Sequence, residues 1–139
     1  MENEEVYIDS NIFLYPILYD VDNNDEAKRA EQFLGKVARS EISGITSVLT
    51  WDEVVWITQK NLGKDDASKI GKEFLIFPNL SFKKITLSII NKAQDIFSKN
   101  NIKPRDAIHV ACALDNNVKI IYSFDNDFEK IKEIERIEP

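Results

Sequence analysis

The 139-residue sequence contains one cysteine, Cys112, and one histidine, His109. One thiol cannot form an internal disulfide, and these two residues cannot supply the four ligands of a structural zinc site. No run of about 18 apolar residues occurs, and the N-terminus lacks the charged and apolar regions of a secretion signal. We therefore expect a cytoplasmic protein with no membrane association.

Positive charge is also scarce. The chain has 18 Lys and Arg residues and 24 Asp and Glu residues, which gives a net charge of −6. Proteins that bind nucleic acid through charge alone present a basic face, so this balance disfavours such binding. It does not exclude a nuclease, because acidic metal ligands add negative charge that bound divalent cations partly cancel.

The remaining composition is typical of one globular domain, which we predict over residues 1–139. Hydrophobic residues make up 43% of the chain and charged residues 30%. Apolar periodicity separates short β-prone runs from longer amphipathic segments. It predicts strands at 6–8, 42–46, 80–85, 118–122 and 134–137, helices at 12–19, 26–39, 47–62, 65–77, 87–100 and 104–115, and a helical turn at 128–131. This alternation indicates an α/β fold with a mainly parallel sheet and right-handed crossovers.

Two aspartates, Asp9 and Asp125, follow predicted strands. Ligands of open parallel sheets bind at the carboxyl ends of the strands, and a charged group beside an apolar strand needs a partner or a metal. Taken singly, each aspartate is better explained as a helix N-cap or a turn residue, both of which are common just after strands.

A third acid, Asp106, opens a largely apolar helix that also carries His109. A negative charge near a helix N-terminus interacts favourably with the helix dipole, which would explain Asp106 alone. Asp106 and His109, however, are three residues apart and therefore share one face of the helix. We interpret that face as the wall of a site in which His109 supports an acidic ligand. Cys112, one turn further along, is predicted to be a small core residue.

The fourth acid, Glu53, has two explanations. Thr50 and Glu53 match a capping box, in which Glu53 would only cap a helix. If the helix instead begins at Ser47, Glu53 lies nearly two turns inside it and is available to a site. Asp52 then points about 100° away, so only one of the pair faces that site.

In this order, these segments resemble the PIN-domain ribonucleases, particularly the VapC-like toxins of prokaryotic toxin–antitoxin pairs. The matching segments span residues 6 to 128: Ile8-Asp9-Ser10-Asn11, Glu53 after Thr46-Ser47, Asp106 to Ala111, and Ser123-Phe124-Asp125-Asn126-Asp127-Phe128. The resemblance implies a three-layer fold with a central parallel sheet of four or five strands and helices on both faces. It also implies an Mg²⁺- or Mn²⁺-dependent endoribonuclease.

The resemblance further implies the roles of individual residues. Asp9, Glu53, Asp106 and Asp125 would be catalytic and metal-binding, and Asp127 shares the fourth acidic position with Asp125. Supporting hydrogen bonds would come from Ser10, Asn11, Ser47, His109 and Ser123. Arg105 is a candidate for phosphate contacts, with Lys28, Arg29 and Lys103 as weaker ones. Homodimerisation and an antitoxin partner are implied as well, and the aromatic residues Trp51, Trp56, Phe74 and Phe77 are candidate interface residues or ordinary core.

Other classes remain as alternatives. A dehalogenase-type phosphatase requires a second carboxylate at the position of Asn11, and a receiver domain requires an acidic pair at the first strand and a lysine after a late one. Neither pattern is met. A catalytically silent PIN scaffold and a PIN nuclease of RNA processing without an antitoxin stay open.

Overall fold

The computed structural model describes residues 4–139, in which five strands alternate with helices. The elements are β1 (Glu5–Ile8), α1 (Ser10–Leu18), α2 (Asp25–Ala38), β2 (Ser43–Ser47), α3 (Val48–Leu62), α4 (Lys64–Leu75), β3 (Leu80–Lys83), α5 (Leu87–Lys99), α6 (Pro104–Asp115), β4 (Ile120–Tyr122), a 3₁₀ turn (Asn126–Lys130) and β5 (Glu135–Ile137). The predicted elements are therefore present, and no end is shifted by more than two residues.

The five strands form one parallel sheet in the order β3-β2-β1-β4-β5. From β1 the chain first builds outward through β2 and β3, then returns to place β4 on the other side of β1. The direction of winding thus reverses between β1 and β4. Parallel sheets bind ligands at such a switch point, outside the carboxyl ends of the strands.

Helices cover both faces of the sheet, as the fold prediction required. Side chains of a strand point alternately to opposite faces. In β1, Tyr7 joins the core under α5 and α6, whereas Val6 and Ile8 join the core under α1 to α4. Both cores are buried, so the site at the strand ends rests on a rigid three-layer base.

Two glycines are required by local geometry. A Cβ at Gly44 in β2 would lie 2.8 Å from Ile8 Cδ1 and 3.2 Å from Val37 Cγ1, so only glycine lets α2 pack this closely. Gly63 has φ +93° between α3 and α4, where a left-handed backbone ends one helix and starts the next.

The structure decides between the alternatives that the sequence left open at two places. Helix α3 begins at Val48 with Ser47 at its N-cap position, so Thr50 lies inside the helix and the capping box does not form. Phe74 is 5% exposed and belongs to the core, against Phe13 and Phe82, whereas Trp51 and Trp56 are 39% and 49% exposed. Within residues 4–139, no helix has the length and apolar character needed to cross a membrane.

Candidate active site

Asp9 lies where β1 ends and α1 begins. Its backbone is extended, and its Oδ1 accepts a hydrogen bond from the Ser10 amide at 2.8 Å, so it is the N-cap of α1. Its other oxygen, Oδ2, accepts a 2.7 Å hydrogen bond from the Ser123 hydroxyl beyond β4. Asp9 is therefore both the N-cap of α1 and a member of the site, because its carboxylate connects the ends of β1 and β4 at the switch point.

Ser123 is a hub for the loop that follows β4. Its hydroxyl donates to Asp9 and accepts hydrogen bonds from Asn11 Nδ2 at 3.1 Å and the Asp125 amide at 3.0 Å. Asn11 Oδ1 in turn accepts from the Phe124 amide. The start of α1 and the loop carrying Asp125 are thereby tied to one serine, which is itself fully buried.

Glu53 projects from the second turn of α3 toward Asp9 and is only 8% exposed. Its Oε2 accepts a hydrogen bond from the Ser10 hydroxyl at 3.0 Å, and its Oε1 lies 2.5 Å from His109 Nε2. His109 Nε2 is also 3.6 Å from Asp9 Oδ1. Helices α3 and α6 thus converge on Asp9 through one buried glutamate and one buried histidine.

On its other side His109 contacts Tyr7, whose hydroxyl lies 2.5 Å from Nδ1. Both side chains are fully buried. The sequence analysis did not identify Tyr7, because a tyrosine between Val6 and Ile8 is indistinguishable from an ordinary strand residue. Only the packing of α6 on β1 shows that its hydroxyl reaches the single histidine.

The His109–Glu53 contact has the electrostatics of an ion pair. Burial opposes the charged imidazole, but Tyr7, Glu53 and Asp9 outweigh it and hold the pKa of His109 well above its usual value. Burial also raises the pKa of Glu53, yet hydrogen bonds from His109 and Ser10 and the His109 charge bring it below its usual value. Glu53 is therefore ionised at neutral pH.

Asp106, Asp125 and Asp127 form a second acidic group beside the first. They come from the first turn of α6 and the start of the 3₁₀ turn, and each offers an oxygen within 4.8 Å of the others. Burial, followed by the charges of Asp9 and Asp125, raises the pKa of Asp106 to about 7. Glu53 adds to this effect, so the charges of the other three predicted acids all act on Asp106.

Asp125 and Asp127 differ in their surroundings. Asp125 caps the 3₁₀ turn by accepting a hydrogen bond from the Asp127 amide at 2.9 Å. The Asp127 carboxylate pairs with Lys130 Nζ at 3.1 Å, and the same ammonium donates to the carbonyl of Asn101 before α6. A neighbouring cation thus neutralises Asp127.

The structure places the other predicted site residues less centrally. Arg105 is half exposed on α6 beside Asp106, with its Nη2 3.7 Å from Asp52 Oδ2. Ser47 is buried at the start of α3, and its hydroxyl hydrogen-bonds to none of the carboxylates in the described part of the chain. It lies close to the Tyr7 phenol instead.

The donors of this site fit a hard divalent cation. Carboxylate oxygens are the ligands that Mg²⁺ and Mn²⁺ prefer. Buried polar atoms are almost always partnered, yet Asp106 Oδ2 is buried and accepts no hydrogen bond. Burial also raises the pKa of Asp9, although His109 and Ser123 oppose this. Concentrated negative charge and an unsatisfied oxygen are what a bound cation would compensate.

Comparisons with known proteins agree with this geometry. Residues 6–134 match the family described as PIN domain. Ribonuclease VapC2 of Methanocaldococcus jannaschii is 26% identical, over 99% of this chain and 96% of that protein.

Solved structures share the fold at lower identity. VapC20 of Mycobacterium tuberculosis, titled a sarcin-ricin loop cleaving toxin, superposes with a TM-score of 0.77 at 13% identity, covering 96% of this chain and 99% of that one. VapBC2 of Rickettsia felis, solved bound to a promoter DNA fragment, has a TM-score of 0.73 at 14% identity, covering 96% and 98%.

Proposed function

This chain belongs to the PIN domain family, and from this premise we propose that it is a metal-dependent endoribonuclease, a VapC-like toxin that hydrolyses RNA phosphodiester bonds. The observation that carries the proposal is the convergence of Asp9, Glu53, Asp106 and Asp125 at the switch point of the sheet. Asp106, whose buried Oδ2 accepts no hydrogen bond, completes that set. We assign these four acids as the acidic site.

We propose that the acidic site holds Mg²⁺ or Mn²⁺, with Asp127 as an outer ligand. Such an ion lowers the pKa of a bound water and stabilises charge on the phosphoryl oxygens. The protein's contribution is to hold the ligands in place. Ser10 and Ser123 orient Asp9 through both of its oxygens, and Ser10 with His109 orients Glu53.

Arg105 is our candidate for contact with the RNA backbone. It is adjacent to Asp106 and half exposed, and its one ion pair within residues 4–139 is a 3.7 Å contact with the exposed Asp52, so its guanidinium is available to a phosphate. Arginine binds phosphate oxygens in pairs through its planar donors. With a net charge of −6, the protein repels the RNA polyanion at long range, which makes such local contacts more important.

We further propose an antitoxin partner, a homodimeric state and a cytoplasmic location, with residues 1–139 acting as one nuclease domain. The Rickettsia felis neighbour is a VapBC complex, and a neighbour from Klebsiella pneumoniae is titled a toxin–antitoxin complex. The exposed Trp51 and Trp56 on α3 are candidate interface residues.

The proposed function is tested with purified Asp9→Asn protein. We expect wild type to cleave RNA in Mn²⁺ or Mg²⁺ and to stop when EDTA is added, whereas Asp9→Asn is inactive with unchanged circular dichroism. Asp22→Asn, an exposed aspartate outside the site, is the matched control. Cleavage by Asp9→Asn at the wild-type rate would overturn the acidic site, and a wild type that binds no Mn²⁺ would favour a silent PIN scaffold.

A further inference from the structure

Arg136, on the edge strand β5, lies behind the acidic site rather than in it. Its side chain is 12% exposed, although the strand is at the rim of the sheet. Nη1 donates to the carbonyl oxygen of Ser123 at 3.0 Å, while Nε and Nη2 donate to Glu129 at 3.1 and 2.8 Å. Nη1 also lies 3.2 Å from Glu138.

The contact with Ser123 is the one that leads to the acidic site. The Ser123 amide donates to the Ile137 carbonyl at 3.1 Å, so β5 holds this residue by its N–H and Arg136 holds it by its C=O. Both hydrogen-bonding groups of the Ser123 backbone are therefore held by β5. Its hydroxyl then donates to Asp9 and accepts from the Asp125 amide, which connects β5 to two of the four acids.

From this geometry we propose that Arg136 is a positioning residue of the acidic site, which fixes the Ser123 carbonyl so that the Ser123 hydroxyl faces Asp9. The inference rests on the proposed function, because it assigns Arg136 to the organisation of the metal ligands. Within residues 4–139, Arg136 hydrogen-bonds to none of the proposed metal ligands and acts through Ser123.

Arginine is the residue type that this role requires. Its planar guanidinium presents donors in fixed directions, so one side chain reaches the Ser123 carbonyl at the end of β4 and Glu129 on the 3₁₀ turn together. A lysine has one ammonium on a flexible stem and cannot hold both acceptors in the same geometry. Arg136→Lys should therefore restore only part of the function lost in Arg136→Met.

A purely structural role makes a different prediction. Glu129 is 60% exposed, and ion pairs with exposed carboxylates contribute little to stability. If Arg136 served only to form ion pairs, the double variant Glu129→Gln/Glu138→Gln, which removes both carboxylate partners, would reproduce the effect of Arg136→Met. If it positions Ser123, this double variant leaves the site almost unchanged, since the guanidinium keeps its contact with the carbonyl.

The experiment compares wild type with Arg136→Met, Arg136→Lys, Ser123→Ala and two double variants, Glu129→Gln/Glu138→Gln and Arg136→Met/Ser123→Ala. Arg39→Met, which removes an exposed arginine paired with Glu41, is the matched control for lost positive charge. Each protein is checked by thermal unfolding. The readouts are the Kd of Mn²⁺ by calorimetry, kcat and KM for RNA cleavage, and hydrogen exchange of the Asp125 amide.

For Arg136→Met we expect the Mn²⁺ Kd to rise about tenfold, the size typical of lost support for a metal ligand. We expect kcat to fall with KM nearly unchanged, and the Asp125 amide to exchange faster. Arg136→Lys should be intermediate, and Glu129→Gln/Glu138→Gln and Arg39→Met should match wild type. Arg136→Met/Ser123→Ala should bind Mn²⁺ no more weakly than Ser123→Ala, because both changes remove the same connection.

The inference would be overturned if Arg136→Met bound Mn²⁺ as tightly as wild type and its Asp125 amide exchanged at the wild-type rate. The proposed function would still stand in that case, provided that wild type cleaves RNA. Equal losses in Glu129→Gln/Glu138→Gln and Arg136→Met would also overturn the inference, in favour of structural ion pairs. A wild type that neither binds Mn²⁺ nor cleaves RNA would overturn both proposals, so the two failures are distinguishable.

Discussion

His109 Nε2 and Glu53 Oε1 lie 2.5 Å apart in a buried contact that joins α6 to α3 beneath Asp9. These residues are 56 positions apart in the chain, and Tyr7 contacts the opposite side of the imidazole. The contact keeps Glu53 ionised despite its burial. A fixed, charged Glu53 is what the proposed metal site requires.

Replacing His109 should weaken the site through Glu53. In His109→Gln the amide still donates a hydrogen bond but carries no charge, so burial is no longer opposed and the pKa of Glu53 should rise. We expect Mn²⁺ affinity to fall about 10- to 100-fold and the free energy of unfolding to fall by about 3 kcal/mol. Calorimetry and urea denaturation measure these changes. Unchanged Mn²⁺ affinity would show that His109 does not support the acidic site.

Removing the Tyr7 hydroxyl should have a smaller effect on stability. Tyr7→Phe keeps the ring in the core but leaves His109 Nδ1 without its partner, since both side chains are fully buried. An unsatisfied buried group costs about 1–3 kcal/mol, which urea denaturation detects. Tyr19→Phe is the matched control, because Tyr19 is 48% exposed. Equal stability of the two variants would contradict the prediction.

Neutralising Asp106 should stabilise the metal-free protein while abolishing its function. The folded-state pKa of about 7 lies above the ordinary value of 3.8, so the folded protein binds this proton more tightly than the unfolded chain. The charged carboxylate therefore destabilises the fold above pH 7, and this penalty disappears as pH falls toward 4. Asp106→Asn removes the charge at every pH.

At pH 8 without metal, we expect Asp106→Asn to be more stable than wild type by about 1–2 kcal/mol, a value reduced for solvent screening. The difference should shrink between pH 7 and pH 4 in a series of urea denaturations. Mn²⁺ should stabilise wild type but not the variant. An Asp106→Asn protein less stable than wild type at pH 8 would contradict the raised pKa.

The two candidates for the fourth acidic position should differ in importance. Lys130 neutralises Asp127 at 3.1 Å, whereas Asp125 acts on Asp106 directly through its charge. We expect Asp125→Asn to lower kcat by about 100-fold or more and Asp127→Asn by about tenfold or less, as for an outer residue of a metal site. Asp115→Asn, an exposed aspartate paired with Lys92, is the control. A greater loss in Asp127→Asn would reverse the assignment.

The sequence alone determined the order of strands and helices, because apolar periodicity is a local property that each segment carries by itself. It also placed Asp9 and Asp125 after strands and Asp106 at a helix start. Parallel strands bring their carboxyl ends to one edge of the sheet, so the meeting of these acids was predictable once the α/β pattern was recognised.

Only the tertiary structure decided which contacts hold those acids. It placed Glu53 inside α3 rather than in a capping box, buried Phe74, joined Tyr7 to His109, and brought Arg136 behind Ser123. Tyr7 and His109 are 102 residues apart, and no local pattern distinguishes a core tyrosine from one whose hydroxyl has a partner. Such pairs arise from the packing of helices on the sheet, which depends on the whole chain at once.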